Sequence, residues 1–319
     1  MSITAYFASL SLIKLVRNLP GGIAQGLIWG LMALGIYVTF RLLDVADLTV
    51  DGSFATGGAV TVMLILSGTP AWAALLAAAA AGALAGLCTG LLHTKLGIPA
   101  ILAGILTQFS LYSINLRIMG MAANKPVSVD KFGLVLSSRN IPRAILVGAL
   151  FALVLTAAFY WYFGTEQGSA LRATGSNPAM SRAQGINVGR MKVLGLAISN
   201  GIVAVAGGLM AQYQGFADVN MGRGAIVIGL AAVIIGEALV RPLLKKLNSI
   251  AFAMTLSFTV LGGAVYYAVV VVVLWLRLNS NDLKLFTAVI VAAFLAIPYL
   301  REQRRTSFAA ARKGARDHA

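Results

Sequence analysis

The hydrophobic positions of this chain run in long blocks rather than in stripes. Nine blocks stand out: Gly21–Phe40, Gly52–Ser67, Trp72–Leu92, Ile98–Met119, Ile145–Phe163, Val193–Tyr213, Ala225–Val240, Ile250–Leu276 and Leu285–Leu300. Each approaches the roughly 20 residues a helix needs to cross a hydrocarbon core about 30 Å thick. A helix apolar on every side belongs in lipid or in the centre of a bundle. The expected fold is therefore an all-α polytopic membrane protein with about nine transmembrane helices (eight to ten). An outer-membrane barrel would instead show alternating segments of about ten residues, and none is visible. Residues 3–19 form a shorter apolar segment broken by Lys14 and Arg17. This pattern predicts an N-terminal interfacial helix over residues 1–20, with a tenth span as the alternative.

Composition agrees with this reading. Only 11% of the 319 residues are charged, less than half the usual share of about 25% in soluble domains. The net charge of +15 does not indicate nucleic acid, because the basic residues are spread over the loops and the tail. That distribution suits control of topology and contact with anionic lipid headgroups. With the polar loop around residue 180 placed inside, fifteen basic residues, six of them in the tail, fall on that side and ten lie opposite. The expectation is a cytoplasmic C-terminus, a basic cytoplasmic tail over 301–319 and an external N-terminus. One cysteine, Cys88, excludes an internal disulfide, and His93 and His318 have no ligand spacing, so no metal site is expected. The opening ITAYFASLSLIKLV lacks a basic leader and a small-residue cleavage site and is not expected to be a cleaved signal.

Small residues predict how the spans meet. Gly22, Gly26 and Gly30 share one helix face, as do Gly82, Gly86 and Gly90, and such faces let backbones approach closely in lipid. Residues 46–62 (ADLTVDGSFATGGAVTV) and 217–233 (ADVNMGRGAIVIGLAAV) share Ala-Asp at their starts and a later glycine. Five predicted crossings separate them, so the copies form an inverted internal repeat, a build common in transporters with interrupted helices. Carboxylates are scarce, ten in all, and three of them (Asp44, Asp47, Asp51) fall within eight residues. A charge at membrane depth is costly and usually faces a cavity or a partner. Asp47, Thr49, Asp51, Asp218 and Asn220 are accordingly the candidate translocation-pathway residues. The alternative is an ordinary loop with Asp51 capping the second span. Glu237 is expected in an ion pair with Arg241 or at a helix end. Gln108, Tyr112 and Asn115 on the fourth span, and Asn200 on the sixth, are read as helix–helix hydrogen bonds in preference to a path.

Between the fifth and sixth spans lies the most polar segment of the chain, residues 168–192, which read GSALRATGSNPAMSRAQGINVGRMK. A protein that merely anchors itself has little use for such an insert; one that grips a soluble partner does. No phosphate-binding GxxxxGK[ST] loop, G-x-S-x-G elbow or HExxH helix occurs. No catalytic residue is assigned, and energy for transport would have to come from another subunit.

Leu171–Lys192 strongly resembles the cytoplasmic coupling segment of ABC-importer permeases in the branched-chain amino acid and ribose permease superfamily. The matching positions are Arg172, Ala173, Gly175, Asn177, Ala179 or Ala183, Gly185, Ile186 and Asn187. The similarity extends over roughly residues 20–300, so that 21–300 forms one permease domain. Within the superfamily it looks most like uncharacterised bacterial systems, some linked to aromatic amino acids such as tryptophan. The resemblance implies a multi-pass permease of the bacterial inner membrane, paired as a homodimer. It also implies an ATPase subunit carrying ATP and Mg, an extracytoplasmic substrate-binding protein, and no cofactor on the chain itself. Arg172, Ala173, Gly175, Asn177, Pro178, Arg182, Gly185, Ile186 and Asn187 become the candidate ATPase-coupling residues. After a turn at Gly175, Asn177-Pro178 can start a short surface helix and Gly185 can end it in a left-handed cap. The function expected is import of a small organic solute, an amino acid first, aromatic or branched-chain. A nucleoside or sugar importer is one alternative; an ion-coupled secondary transporter using the Asp residues and a membrane scaffold are others.

Overall fold

A computed structural model describes residues 12–129, 131–244 and 251–276, with a few isolated positions beyond. Helix α1 (Leu12–Tyr37) runs through Pro20 and ends in a π-helical turn, Val38–Leu42. It is followed by α2 (Thr49–Leu66), α3 (Ala71–Thr94), α4 (Ala100–Ile118), α5 (Ile141–Gly164), the short helices α6 (Glu166–Ser176) and α7 (Pro178–Ala183), and then α8 (Val188–Gln214), α9 (Ala225–Leu244) and α10 (Ala251–Trp275). Among the described residues seven helices are long and apolar enough to cross a membrane: α1 with its π turn, α2, α3, α4, α5, α8 and α10. This is a multi-pass helical membrane protein. Residues 12–20 are the first turns of α1 and not a separate element. The rest of the expected interfacial helix, the ninth span at 285–300 and the basic tail lie outside the described residues.

Two three-residue strands qualify the all-α expectation. β1 (Asn124–Pro126) pairs antiparallel with β2 (Phe216–Asp218), setting Asn124 opposite Asp218. The ribbon joins the α4–α5 connection to the end of α8. Val127, Leu134 and Leu136 from that connection are buried against the bundle, which anchors it there.

Burial sorts the helices by position. Ala24, Ile28, Leu31, Met32 and Leu34 of α1 are fully covered, which makes α1 a central helix, with α10 and α8 beside it. α4 and α5 carry exposed Phe109, Leu146, Leu153 and Trp161 and form the periphery. The two glycine faces do what their spacing predicts. A Cβ at Gly26 or Gly30 would overlap the backbone of Gly263, Ala264 and Val260 on α10, while Gly82, Gly86 and Gly90 sit against Asn200, Leu196 and Val193 on α8. Without side chains between them, these backbones gain dispersion contact that no lipid-filled gap could supply.

Two interruptions position everything that follows. The first, residues 43–48, separates the π turn of α1 from α2 and holds Asp44 at a left-handed φ of 53°. The second, residues 215–224, separates α8 from α9. It starts with Gly215 capping α8 at φ 81° and contains β2. It then turns inward, so that Gly222 packs on the Asp51 backbone carbonyl of α2.

Candidate functional site

The polar insert folds into two short helices, each started by a side chain. Thr165 Oγ1 accepts from Gly168 N at 3.3 Å to open α6. Asn177 Oδ1 accepts from Met180 N at 3.0 Å to open α7, with Pro178 in the first turn. Side-chain acceptors of this kind satisfy N–H groups that have no partner within the helix. Gly185 then stops α7 at φ 80°, and Ile186 N returns to Ser181 O at 3.0 Å, closing a left-handed glycine cap. Asn187 Oδ1 accepts from Arg190 N at 3.0 Å and opens α8. The chain therefore reverses from α5 to α8 through a rigid knob. Ala179, Met180, Arg182, Ala183 and Gln184 are exposed on it, while Ser181 faces inward.

One detail of the sequence reading is corrected. Gly175 does not form a turn; it lies inside α6. A Cβ there would overlap the Leu42 carbonyl, so the glycine is needed for close approach to the end of α1. Leu171 of α6 is fully buried in the same core as Leu43 and Leu196. Arg172 stacks over Phe252 of α10, its guanidinium carbon 5.5 Å from the ring centroid. Ala173 is exposed, and Ile186 is half-buried. The polar insert thus touches the bundle where α1 gives way to the first interruption. At the same end Glu237 of α9 pairs with Arg41 of the π turn, not with Arg241 one turn away.

Behind that contact lies a buried polar network. Asp47 accepts from Thr49 N at 2.9 Å and from Asn200 Nδ2 at 2.6 Å. Asn200 also donates to Leu196 O at 2.9 Å and accepts from Ser53 Oγ at 2.6 Å. Thr49 bonds Thr89 at 2.7 Å, and Thr89 bonds Thr107 at 2.9 Å. The network ties α2, α3, α4 and α8 around the first interruption, with Asp47 and Thr49 buried in it. Asn200 makes the helix–helix bonds expected of it.

The remaining acidic candidates lie around the second interruption. Asp51 does not cap its own helix. Its carboxylate accepts from Gly224 N and Ile226 N, each at 3.0 Å, and so caps α9. Asp218 accepts from Asn220 N at 2.7 Å, two residues on, as Asp47 does from Thr49. Asp51 and Asn220 line a cavity of about 390 Å³ together with Gln108, Tyr112, Asn115 and Arg223. Asp218 is outside its lining. The three α4 residues form a polar face at helical spacing, which the sequence pattern alone assigns to helix–helix bonds. Asn115 makes none: it is 1% exposed, and neither its Oδ1 nor its Nδ2 has a hydrogen-bond partner. Among the described residues no group of three or more His, Cys, Asp and Glu side chains comes together.

Comparison with known proteins bears on both regions. Residues 18–298 match the family model described as branched-chain amino acid transport system / permease component. The chain is 38% identical over 272 residues to a tyrosine transport system permease protein of Clostridioides difficile (strain R20291), covering 85% of this chain and 88% of that one. It is 32% identical over 185 residues to the uncharacterized protein RP368 of Rickettsia prowazekii (strain Madrid E), covering 57% and 64%. It is 27% identical over 200 residues to the ribose import permease protein RbsC of Escherichia coli (strain K12), covering 60% of each. No solved structure matches.

Proposed function

This chain belongs to the family of branched-chain amino acid transport system permease components, and on that premise we propose that it is the membrane subunit of an ATP-driven importer for an amino acid. The observation that carries the proposal is the seating of α6 and α7. An exposed, doubly capped knob is fastened by Gly175 and Leu171 to the end of α1, beside the first interruption. A load applied to the knob by a closing ATPase reaches Leu42 and Leu43 first. It then passes through Asp47 and Asn200 to α2 and α8. Alternating access needs an element with two arrangements that both ATP and solute can bias, and this reading assigns that part to the first interruption.

The other parts of the reading rest on coarser support. An inverted repeat is favoured by the same short-range turn at Asp47 and Asp218, each in an interruption reached from an opposite end of the bundle. An amino acid is favoured over a sugar by the tyrosine permease, which is matched over 88% of its length, against 60% for the ribose permease. An ion-coupled carrier is disfavoured by membership of a family described as the permease component of a transport system. The importer would work in the bacterial inner membrane as a homodimer, with the knob and the basic tail cytoplasmic and a substrate-binding protein on the far side. ATP and Mg would be held by the ATPase.

The test is purification of the tagged chain from its own host. An ATPase should co-purify, and a photo-crosslinker at Gln184 should capture it. A preparation that imports solute with no ATPase bound at Gln184 would overturn the proposal.

A further inference from the structure

The cavity between the first turn of α2, the outer half of α4 and residues 219–223 has features that packing alone does not require. Its volume, about 390 Å³, lies within the range of roughly 300–1,000 Å³ typical of small-molecule sites. Asn115, in its lining, carries a buried amide with one acceptor and two donor hydrogens, and neither its oxygen nor its nitrogen has a partner. Asn220 Oδ1 is likewise buried without a partner. Asn200, by contrast, spends its amide on Asp47, Ser53 and Leu196. Unsatisfied amides are expensive in the interior of a membrane protein, so a pair of them lining one cavity points to a ligand that completes them.

Charge narrows the ligand class. Arg223 and Asp51 both line the cavity, and Arg223 forms no ion pair among the described residues. Asp51 is held in place by the α9 N–H groups it caps. A neutral sugar entering here would desolvate both charges and pair neither, which is unfavourable. A zwitterion pairs both. Phe109 and Tyr112 add aromatic surface at the rim.

Resting on the permease reading above, we propose that this cavity is a resting site for a zwitterionic α-amino acid whose side chain ends in a hydrogen-bonding group. The solute carboxylate meets Arg223, its ammonium meets Asp51 and Asn220, and its side-chain tip meets Asn115.

Binding can be measured on the full-length chain alone in lipid nanodiscs, by saturation-transfer NMR with L-tyrosine, tyramine and D-ribose as probes. L-tyrosine should bind; tyramine, which lacks the carboxylate, should bind at least tenfold more weakly, and D-ribose should give no signal. Asn115→Leu and Arg223→Gln should each weaken L-tyrosine binding at least tenfold. Should Asn115→Leu fail to fold, as judged by thermal melting, the exposed Arg223→Gln carries the test. Ribose binding as strong as tyrosine binding, retention of the tyrosine signal in Arg223→Gln, or no signal for tyrosine would each overturn the assignment. No ATPase enters this measurement, so its outcome is separate from that of the co-purification experiment.

Discussion

Asn200, in the middle of α8, donates to the Asp47 carboxylate at 2.6 Å across the first interruption of the bundle. This bond joins residues 153 positions apart. It sets the short stretch between α1 and α2 against a helix that begins at the exposed knob. The site nearest the knob is therefore braced from both sides of the polar insert, by α1 through Gly175 and by α8 through Asn200.

Removing that brace should cost stability. Asp47→Ala leaves one hydrogen of the Asn200 amide and the Thr49 N–H without their acceptor, while Asn200 keeps its bond to Leu196 O. An orphaned buried donor costs about 1–3 kcal/mol, so the melting temperature in detergent should fall by several degrees. Asp47→Asn keeps one acceptor oxygen and should lose less. A melting temperature unchanged in Asp47→Ala would show that the network contributes no stability.

Asp51 acts at the other interruption. Asp51→Ala uncaps α9, leaving Gly224 N and Ile226 N unpaired. Loss of a capping side chain costs about 0.5–2 kcal/mol. Hydrogen exchange, read by mass spectrometry, should accelerate over residues 222–228 and not over 43–49. Equal acceleration at both would contradict the assignment of Asp51 to α9.

If the polar insert couples to an ATPase as proposed, its two glycines should fail differently. Gly175→Val drives side-chain atoms into the Leu42 carbonyl and should uncouple ATP hydrolysis from uptake through displacement of α6. Gly185 has open space around it but a left-handed backbone, where an ordinary residue costs about 1–2 kcal/mol. Gly185→Asn, which tolerates that conformation, should retain more coupling than Gly185→Val. Identical losses in both Gly185 variants would place the effect elsewhere.

Sidedness can be tested by labelling. A cysteine at Gln184, in a Cys88→Ser background because Cys88 is exposed, should react with an impermeant maleimide only from the cytoplasm. Ser181, although one turn away in α7, is buried and would label poorly from either side. Reaction of Gln184→Cys from outside would reverse the topology.

Much of this organisation was legible in the chain because the signals were local. Asn177-Pro178 and Gly185 carry the start and stop of α7 in their own backbone chemistry. The two glycine triplets show their helix faces by spacing alone. The partners of the scarce charges were not legible. Glu237 pairs with Arg41 across 196 positions in place of the nearby Arg241, and Asp51 caps α9 in place of α2, because tertiary approach decides among several acceptable partners. Gln108, Tyr112 and Asn115 gave a pattern that a path and a helix interface share. Only the missing partners of Asn115 separate the two. Gly175 misled for a related reason: a glycine required for close approach and one required for a turn look alike in sequence.

The seam between α1 and α10 bears on how the protein is made. Gly26 and Gly30 meet Gly263, Ala264 and Val260, so the innermost helix waits for one synthesised more than 200 residues later. Until α10 leaves the ribosome and inserts, the narrow face of α1 must be shielded by lipid or by the insertion machinery. A message cut short before α10 would leave that groove open, a natural mark for quality-control proteases within the bilayer.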